Sequence, residues 1–343
     1  MDKIKVGVIG AGGIGYAHIQ GYQTSGYAEV VGVVTRTEEH AKLAAEKFGI
    51  EAWYTDYREL LKRADLDAVS ICTPNYLHAQ QAVDAANAGK HILCEKPLAM
   101  TLEEIDEMIQ AAREAKVFLM NPSHQRFIPT LGSIREILDQ LGTITFVRYR
   151  FAHQGPYKTI DRKAVSKDKW FYNKEQAGGG VLLDLGSHAL DLLEWYFGDV
   201  EVVQGALLNT FEYPIESEDT AILLFKFKNG ILAELDTSWA SESEFNEFQI
   251  YGTRGTLKVD LWEKSPIEIL PKKLKKNEKI SRIPFTGILA QLSLARQNMI
   301  HYFVDCVRNN KEPEMNGELG KKVLRIIWAG YKSFSLNAPI ILD

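Results

Sequence analysis

Five short groups of residues have types and spacings that could do chemistry. The first is Gly10-Ala11-Gly12-Gly13-Ile14-Gly15, a G-x-G-x-x-G placed directly after the apolar run Ile4 to Ile9. Gly10 permits a tight turn, Gly12 lets the backbone approach a pyrophosphate, and Gly15 allows close helix–strand packing, with the phosphates over the helix N-terminus. A glycine-rich turn alone could be only a turn. This one opens a helix-period segment after a strand, so Gly10, Gly12, Gly13, Ile14 and Gly15 read as a dinucleotide cradle. Thr35-Arg36-Thr37 follows the second apolar run, where an acidic residue usually takes the ribose 2′-hydroxyl of NAD. A hydroxyl and a guanidinium suit a 2′-phosphate instead, which favours NADP over NAD through Thr35 and Arg36. The other reading is an exposed arginine in a polar loop beside an NAD site that lacks the acid.

Thr73-Pro74-Asn75-Tyr76-Leu77-His78 stands at the end of the run Ala68 to Cys72. Ligands of open α/β sheets bind beyond such strand ends, which assigns Thr73, Pro74, Asn75 and His78 to the cofactor side. Pro74 fixes φ, Asn75 is expected to cap the following helix, and His78 reads as a packing or hydrogen-bonding residue. Glu95-Lys96-Pro97 follows the run His91 to Cys94. An ammonium at a strand mouth can fix a substrate hydroxyl or lower a neighbouring pKa. A structural Glu–Lys pair is the competing reading. The last group is Gly178-Gly179-Gly180 with Asp184 and His188. If helical geometry reaches back to Asp184, the carboxylate and the imidazole sit at i and i+4, as a hydroxyl-deprotonating base needs. Asp191 could orient the ring from behind. A capping Asp184 with a core His188, or a metal held by Asp184, His188 and Asp191, are the alternatives.

These groups need elements to hold them. Before residue 123, short β-branched runs (Ile4 to Ile9, Val30 to Val34, Ala68 to Cys72, His91 to Cys94, Val117 to Met120) alternate with helix-period segments (Ile14 to Ser25, Glu38 to Phe48, Tyr76 to Ala88, Leu102 to Ala115). That alternation predicts parallel βαβ units covered on both faces. Afterwards a helix near Leu131 to Gln140 leads into a strand, Thr143 to Phe151, and a second helix is expected after Gly186. Five strands follow: Val200 to Asn209, Ala221 to Phe227, Ile231 to Trp239, Glu247 to Tyr251 and Thr256 to Leu261. Lys228-Asn229-Gly230 is a hairpin signal. Helices near Ala290 to Asn309 and Glu318 to Ser333 close the chain. The fold class expected is α/β: a doubly wound parallel sheet over residues 1–122, then an α+β domain over 123–343 with a large, predominantly antiparallel open sheet. The C-terminal helix is placed to pack back on the first domain.

At 343 residues the chain is too long for one core. Forty Lys+Arg against 45 Asp+Glu give −5, with no basic excess to bind a phosphate backbone, so nucleic acid is not an expected partner. Cys72, Cys94 and Cys306 are too scattered for a disulfide framework and read as inert thiols. No apolar run approaches the roughly 20 residues a bilayer requires, and no leader-like segment opens the chain, so a cytoplasmic protein without a membrane is expected. Lys272 to Lys279 reads as a solvated basic loop.

The ordered set Gly10-x-Gly12-x-x-Gly15, Thr73-Pro74-Asn75-x-x-His78, Glu95-Lys96-Pro97 and Gly178-Gly179-Gly180 with Asp184-x-x-x-His188 resembles the Gfo/Idh/MocA family (glucose–fructose oxidoreductase, inositol dehydrogenase) over essentially the whole chain. The resemblance implies an NAD(P)-dependent oxidoreductase moving hydride between the nicotinamide and a secondary alcohol or ketone of a sugar or cyclitol. It implies that Lys96 positions the substrate hydroxyl, Asp184 orients the substrate and His188 is the acid/base. Arg126, in the segment Ser123 to Phe127, and Trp170 correspond to positions near the substrate in relatives, and Lys96, Asp184 and His188 share that contact. A homodimer or homotetramer through the C-terminal sheet is also implied. Thr35 departs from the acid common in NAD-using members. An NAD-dependent glycosidase working by transient oxidation, a nucleotide-sugar dehydrogenase and a non-catalytic dinucleotide sensor are the other readings.

Overall fold

The computed structural model describes residues 3–155, 170–210, 216–263, 267–271, 281–283 and 288–343. They fall into two compact units. One comprises Met1–Phe127 with Ser293–Lys322, and the other Ile128–Leu292 with Val323–Asp343. The first unit runs on to Phe127, past the boundary expected at residue 122, and it includes part of the C-terminal helices.

The first unit holds six parallel strands: β1 (Ile4–Ile9), β2 (Ala28–Val34), β3 (Ala52–Tyr54), β4 (Ala68–Ile71), β5 (His91–Cys94) and β6 (Leu119–Met120). Their order is β3-β2-β1-β4-β5-β6, the doubly wound arrangement in which the strand order reverses between β1 and β4. Strands covered on both faces are largely apolar: β4 reads Ala-Val-Ser-Ile and is buried at every position. The helices are α1 (Gly13–Thr24), α2 (Glu38–Phe48), α3 (Tyr57–Leu61), α4 (His78–Asn87) and α5 (Leu102–Ala115). Thr101 and Glu104 form a reciprocal capping box on α5, a feature worth ~1 kcal/mol. One buried cluster joins Val6, Val8, Ile19, Tyr22 and Val33 to Met299, Ile300, Phe303, Val304 and Met315.

The second unit is built on a nine-stranded sheet. Its strands are β7 (Ile144–Ala152), β8 (Val200–Leu208), β9 (Thr220–Phe227), β10 (Leu232–Ser238), β11 (Phe245–Gly252), β12 (Gly255–Asp260), β13 (Ile267–Pro271), β14 (Ser281–Ile283) and β15 (Ile340–Ile341). The order is β14-β13-β12-β11-β7-β10-β9-β8-β15, with every pairing antiparallel except β7 with β10. The helices α6 (Pro129–Leu138), α7 (Lys174–Ala177) and α8 (Val181–Phe197) precede β8, while α9 (Ile288–Arg308) and α10 (Gly317–Leu336) end the chain and are shared between the units. Alternation sorts the sheet into two faces: Leu223, Phe225, Ala233 and Leu235 are buried, whereas Ile222, Leu224 and Leu232 are about half exposed. The hairpin expected at Lys228-Asn229-Gly230 forms, with Gly230 at φ +90° and the Asn229 side chain accepting from Ile231 N.

Two local expectations fail for one reason each. Asn75 does not cap α4: a 3-10 turn, Asn75–Leu77, intervenes, so the position before α4 is Leu77. α8 starts at Val181 rather than after Gly186, because its first amides find an acceptor far along the chain. The basic stretch Lys272 to Lys279 lies outside the described residues.

Candidate active site

The glycine turn comes first. Gly10 sits at φ +93°, and a Cβ there would stand 2.6 Å from the Cys72 carbonyl oxygen. A Cβ on Gly15 would reach 2.2 Å from the Gly10 carbonyl, so the turn and its helix can meet only through glycine. Gly12 and Gly13 differ: a Cβ on either would touch nothing within 4 Å. The position before α1 is Gly12, which offers no side-chain cap, and the first turn carries no acidic residue. Open space in front of uncapped amides is the cradle a pyrophosphate needs. The residues present therefore fit a dinucleotide.

At the end of β2, Thr35 Oγ1 donates to the Thr37 carbonyl (2.8 Å), and Thr37 accepts from His40 N at the start of α2. Arg36 is exposed and makes no ion pair among the described residues. The Thr73 hydroxyl donates to Gln81 Oε1 (2.7 Å). Pro74, the position before the 3-10 turn, is extended at ψ 147°, and Asn75 is buried. The His78 ring, 1% exposed, faces the carbonyl oxygens of Pro97 (2.9 Å) and Thr73 (2.8 Å). Burial lowers its pKa, so the neutral ring donates to one of them at a time. His78 thus ties the Thr73 loop to the Glu95-Lys96-Pro97 loop from behind.

Glu95 lies under that second loop. Its Oε1 pairs with His18 Nε2 (2.9 Å), and its Oε2 accepts from Lys96 N (3.2 Å). His18 Nδ1 faces Ser70 Oγ (3.0 Å), and the Tyr22 hydroxyl shares Ser70 Oγ (2.7 Å). A buried polar chain therefore runs from α1 through β4 to the backbone of Lys96. Burial alone would raise the Glu95 pKa, but the His18 hydrogen bond, with His18, His124 and Lys96 close by, holds it at about 2. His124, in the 3-10 turn His124–Phe127, is pushed down to about 4 by burial and Arg296, against the pull of Glu95. The Lys96–Pro97 peptide bond is cis. Arg126 is half-buried in the same 3-10 turn. Cys72 and Cys94 have thiols raised by burial, which leaves them poor nucleophiles.

In the second unit, Asp184 and His188 stand on the first two turns of α8. Leu182, Leu183, Leu185, Gly186, Ala189 and Leu190 are buried, whereas Asp184 and His188 are only half-buried. Because the helix begins at Val181, the two share one face at i and i+4. The Ser187 hydroxyl donates to the Asp184 carbonyl (2.8 Å), and Asp191 is 3% exposed. Trp170 begins a 3-10 turn, Trp170–Tyr172, and meets Phe171 edge-on at 5.2 Å. Phe171 in turn meets Trp239 at 5.3 Å.

Residues 4–122 match the family model described as an oxidoreductase family with an NAD-binding Rossmann fold. Residues 133–258 match the GFO/IDH/MocA C-terminal domain. The chain belongs to the Gfo/Idh/MocA family. It is an NAD(P)-dependent oxidoreductase. It is 32% identical over 254 residues to a 1,5-anhydro-D-fructose reductase of Ensifer adhaerens, covering 73% of this chain and 74% of that one. To the myo-inositol 2-dehydrogenase of Thermotoga maritima it is 25% identical over 347 residues, 99% of each. In fold it is similar to a levoglucosan dehydrogenase solved with NADH and L-sorbose, at TM-score 0.90 and 22% identity over 99% of both chains. Relatives of this family member thus include proteins named for sugar and cyclitol oxidation or reduction. Among the described residues no helix is long and apolar enough to cross a membrane, and no cluster of His, Cys, Asp and Glu could hold a metal ion.

Reasoning from sequence missed His18 and Glu218. The signal for His18 was its place three residues after Gly15, one helical turn on and facing the sheet. Glu218 gave no local signal, because what it binds lies 38 residues upstream.

Proposed function

We propose that this oxidoreductase interconverts a secondary alcohol and a ketone on a sugar or cyclitol, with His188 as acid/base, Asp184 orienting the substrate and Lys96 holding the reacting oxygen. The observation that carries this is the start of α8 at Val181, which sets Asp184 and His188 together as the half-buried polar residues of a stretch, residues 181–193, that is otherwise buried. The glycine turn Gly10–Gly15, with Thr35, Arg36, Thr73, Pro74, Asn75 and the Glu95–Lys96 backbone, would hold the dinucleotide. When bound, the nicotinamide supplies hydride acceptance or donation. His188 takes the hydroxyl proton in oxidation and returns it in reduction, a contribution of roughly 10²–10⁴-fold. The Lys96 ammonium donates to the substrate oxygen, supported from behind by the ionised Glu95. Arg126 and Trp170 would contact the substrate.

Arg36, exposed and without an ion-pair partner among the described residues, supports NADP as the favoured cofactor. A homo-oligomer formed through the second sheet is supported by its uncovered face, where Ile222, Leu224 and Leu232 lie among the ion pairs Arg148–Glu234 and Arg150–Asp236. Gel filtration with light scattering reads that state directly.

The deciding experiment screens cyclitols, sugars and their ketones with both cofactors by nicotinamide absorbance, then repeats the best pair with H188A. Turnover should fall by roughly 10²–10⁴ with cofactor affinity nearly intact. A folded H188A enzyme with wild-type turnover overturns the assignment of the base. Glycoside cleavage without net change in the cofactor would move the reading to transient oxidation. R36A should weaken NADPH by about 1–3 kcal/mol and leave NADH nearly unchanged; equal responses would overturn the NADP assignment.

A further inference from the structure

We propose that Glu218 is a positioning residue for this site, acting through the turn Gly178–Gly180 and the first turn of α8. The inference rests on the reading of Asp184 and His188 given above. A helix start leaves amides without partners, and most helices solve this locally. Here Thr37, Asp56, Thr101 and Asn173 each accept from an amide two or three residues further on. α8 has glycine at that position and no local side chain to serve. Its acceptor is Glu218, which lies just before β9.

The Glu218 contacts are dense. Oε1 accepts from Gly180 N and from Leu182 N, both at 3.1 Å, and Oε2 accepts from Gly180 N at 3.2 Å. The Glu218 backbone carbonyl takes Val181 N at 3.0 Å. The Tyr331 hydroxyl, from α10, donates to Oε1 at 2.8 Å. One residue thus satisfies three successive amide positions at the start of α8.

Two of the three glycines are explained by the same pair. A Cβ on Gly180 would stand 1.9 Å from the Glu218 carbonyl oxygen, and one on Gly179 would stand 2.4 Å from the Tyr331 hydroxyl. These glycines make room for Glu218 and Tyr331 rather than for a bound phosphate. Asp184 is the fourth residue of α8, and its amide donates to the Gly180 carbonyl at 3.0 Å. Without Glu218 the first turn would fray, and Asp184 would leave helical geometry before His188 did. The face that the two residues share would then be lost, while the rest of the helix stayed packed.

The test uses the full chain with E218Q, Y331F, H188A and E218Q/H188A. The first readout needs no substrate: the rate at which diethyl pyrocarbonate modifies His188, followed by peptide mass and checked against H188A. E218Q should change that rate by about fivefold or more in a protein that is folded by circular dichroism, with Y331F smaller in the same direction. The second readout is kcat and KM on the best substrate of the screen. E218Q should lower kcat about tenfold or more, with cofactor Kd within about twofold, and E218Q/H188A should be no slower than H188A. Folded E218Q with unchanged labelling and kcat, and only a lower Tm, would overturn the proposal and leave Glu218 as a stabilising cap. If E218Q fails to fold, Y331F decides by the same two readouts. Wild-type turnover in H188A would defeat the catalytic reading alone, since labelling still reports whether Glu218 fixes the helix.

Discussion

Two glycine-rich turns open two helices in this chain, and they do so in opposite ways. The turn Gly10–Gly15 leaves empty space in front of α1, where added methyl groups on Gly12 and Gly13 would meet nothing. In the turn Gly178–Gly180, the places where Gly179 and Gly180 lack side chains are taken by Tyr331 and Glu218. Each helix also engages one buried carboxylate, again in contrast. Glu95 has the His18 hydrogen bond and the Lys96 ammonium close by and stays ionised down to about pH 2. Among the described residues Glu218 meets backbone amides and a hydroxyl, and burial wins, raising its pKa. A glycine motif therefore signals a ligand only where nothing in the protein already occupies the space the missing side chains leave.

The largest test of that contrast is Gly180→Ala. Its methyl would collide with the Glu218 carbonyl, and moving that backbone should cost roughly 3 kcal/mol or more, read by denaturant unfolding. A variant as stable as wild type would mean that the second turn is as open as the first.

The two carboxylates give opposite pH signatures. Glu95 titrates lower in the folded protein than its ordinary 4.5, so its contribution is present above pH 4.5 and is lost as pH falls toward 2. The stability gap between wild type and E95Q should close over that range, by up to ~3 kcal/mol. Glu218 titrates higher when folded, so its contribution is largest below pH 4.5 and declines as pH rises through the folded value. The gap between wild type and E218Q should therefore shrink with increasing pH. Unfolding free energies measured across the acid range decide it, and slopes of the same sign would end the distinction.

The smallest effect on the fold belongs to Gly12→Ala. Alanine is a somewhat poorer residue before a helix, so stability should drop by ~1 kcal/mol or less. Cofactor affinity should drop about tenfold or more, because the methyl enters the space left for phosphate. Fluorescence titration with NADH and NADPH checks this, and unchanged affinity would place the dinucleotide elsewhere.

Much of this was legible in the amino-acid order, and the exceptions share a cause. Strands such as β1 and β4 are largely buried and announce themselves as short, mostly apolar runs. β3, three half-buried residues, and the short β13, β14 and β15 carry no comparable pattern. The glycine turn was readable because strand, turn and helix are consecutive. The start of α8 was not, since its acceptor comes from the segment before β9. His18 looked like one more polar residue on α1, and its meaning depends on Glu95, 77 positions away. Local chemistry could be read ahead of the structure; partnerships closed by the fold could not.

The interleaved order of the chain has a consequence for its biosynthesis. Met299, Ile300, Phe303, Val304 and Met315 share one buried cluster with Val6, Val8, Ile19 and Tyr22. A nascent chain that has emerged only as far as Phe127 lacks those side chains and presents the matching surface to water. At ordinary elongation rates that exposure lasts on the order of tens of seconds, until Ser293–Lys322 leaves the ribosome. The nucleotide-binding half, although begun first, is completed only when Lys322 has emerged, and during that interval it is a natural client for chaperones.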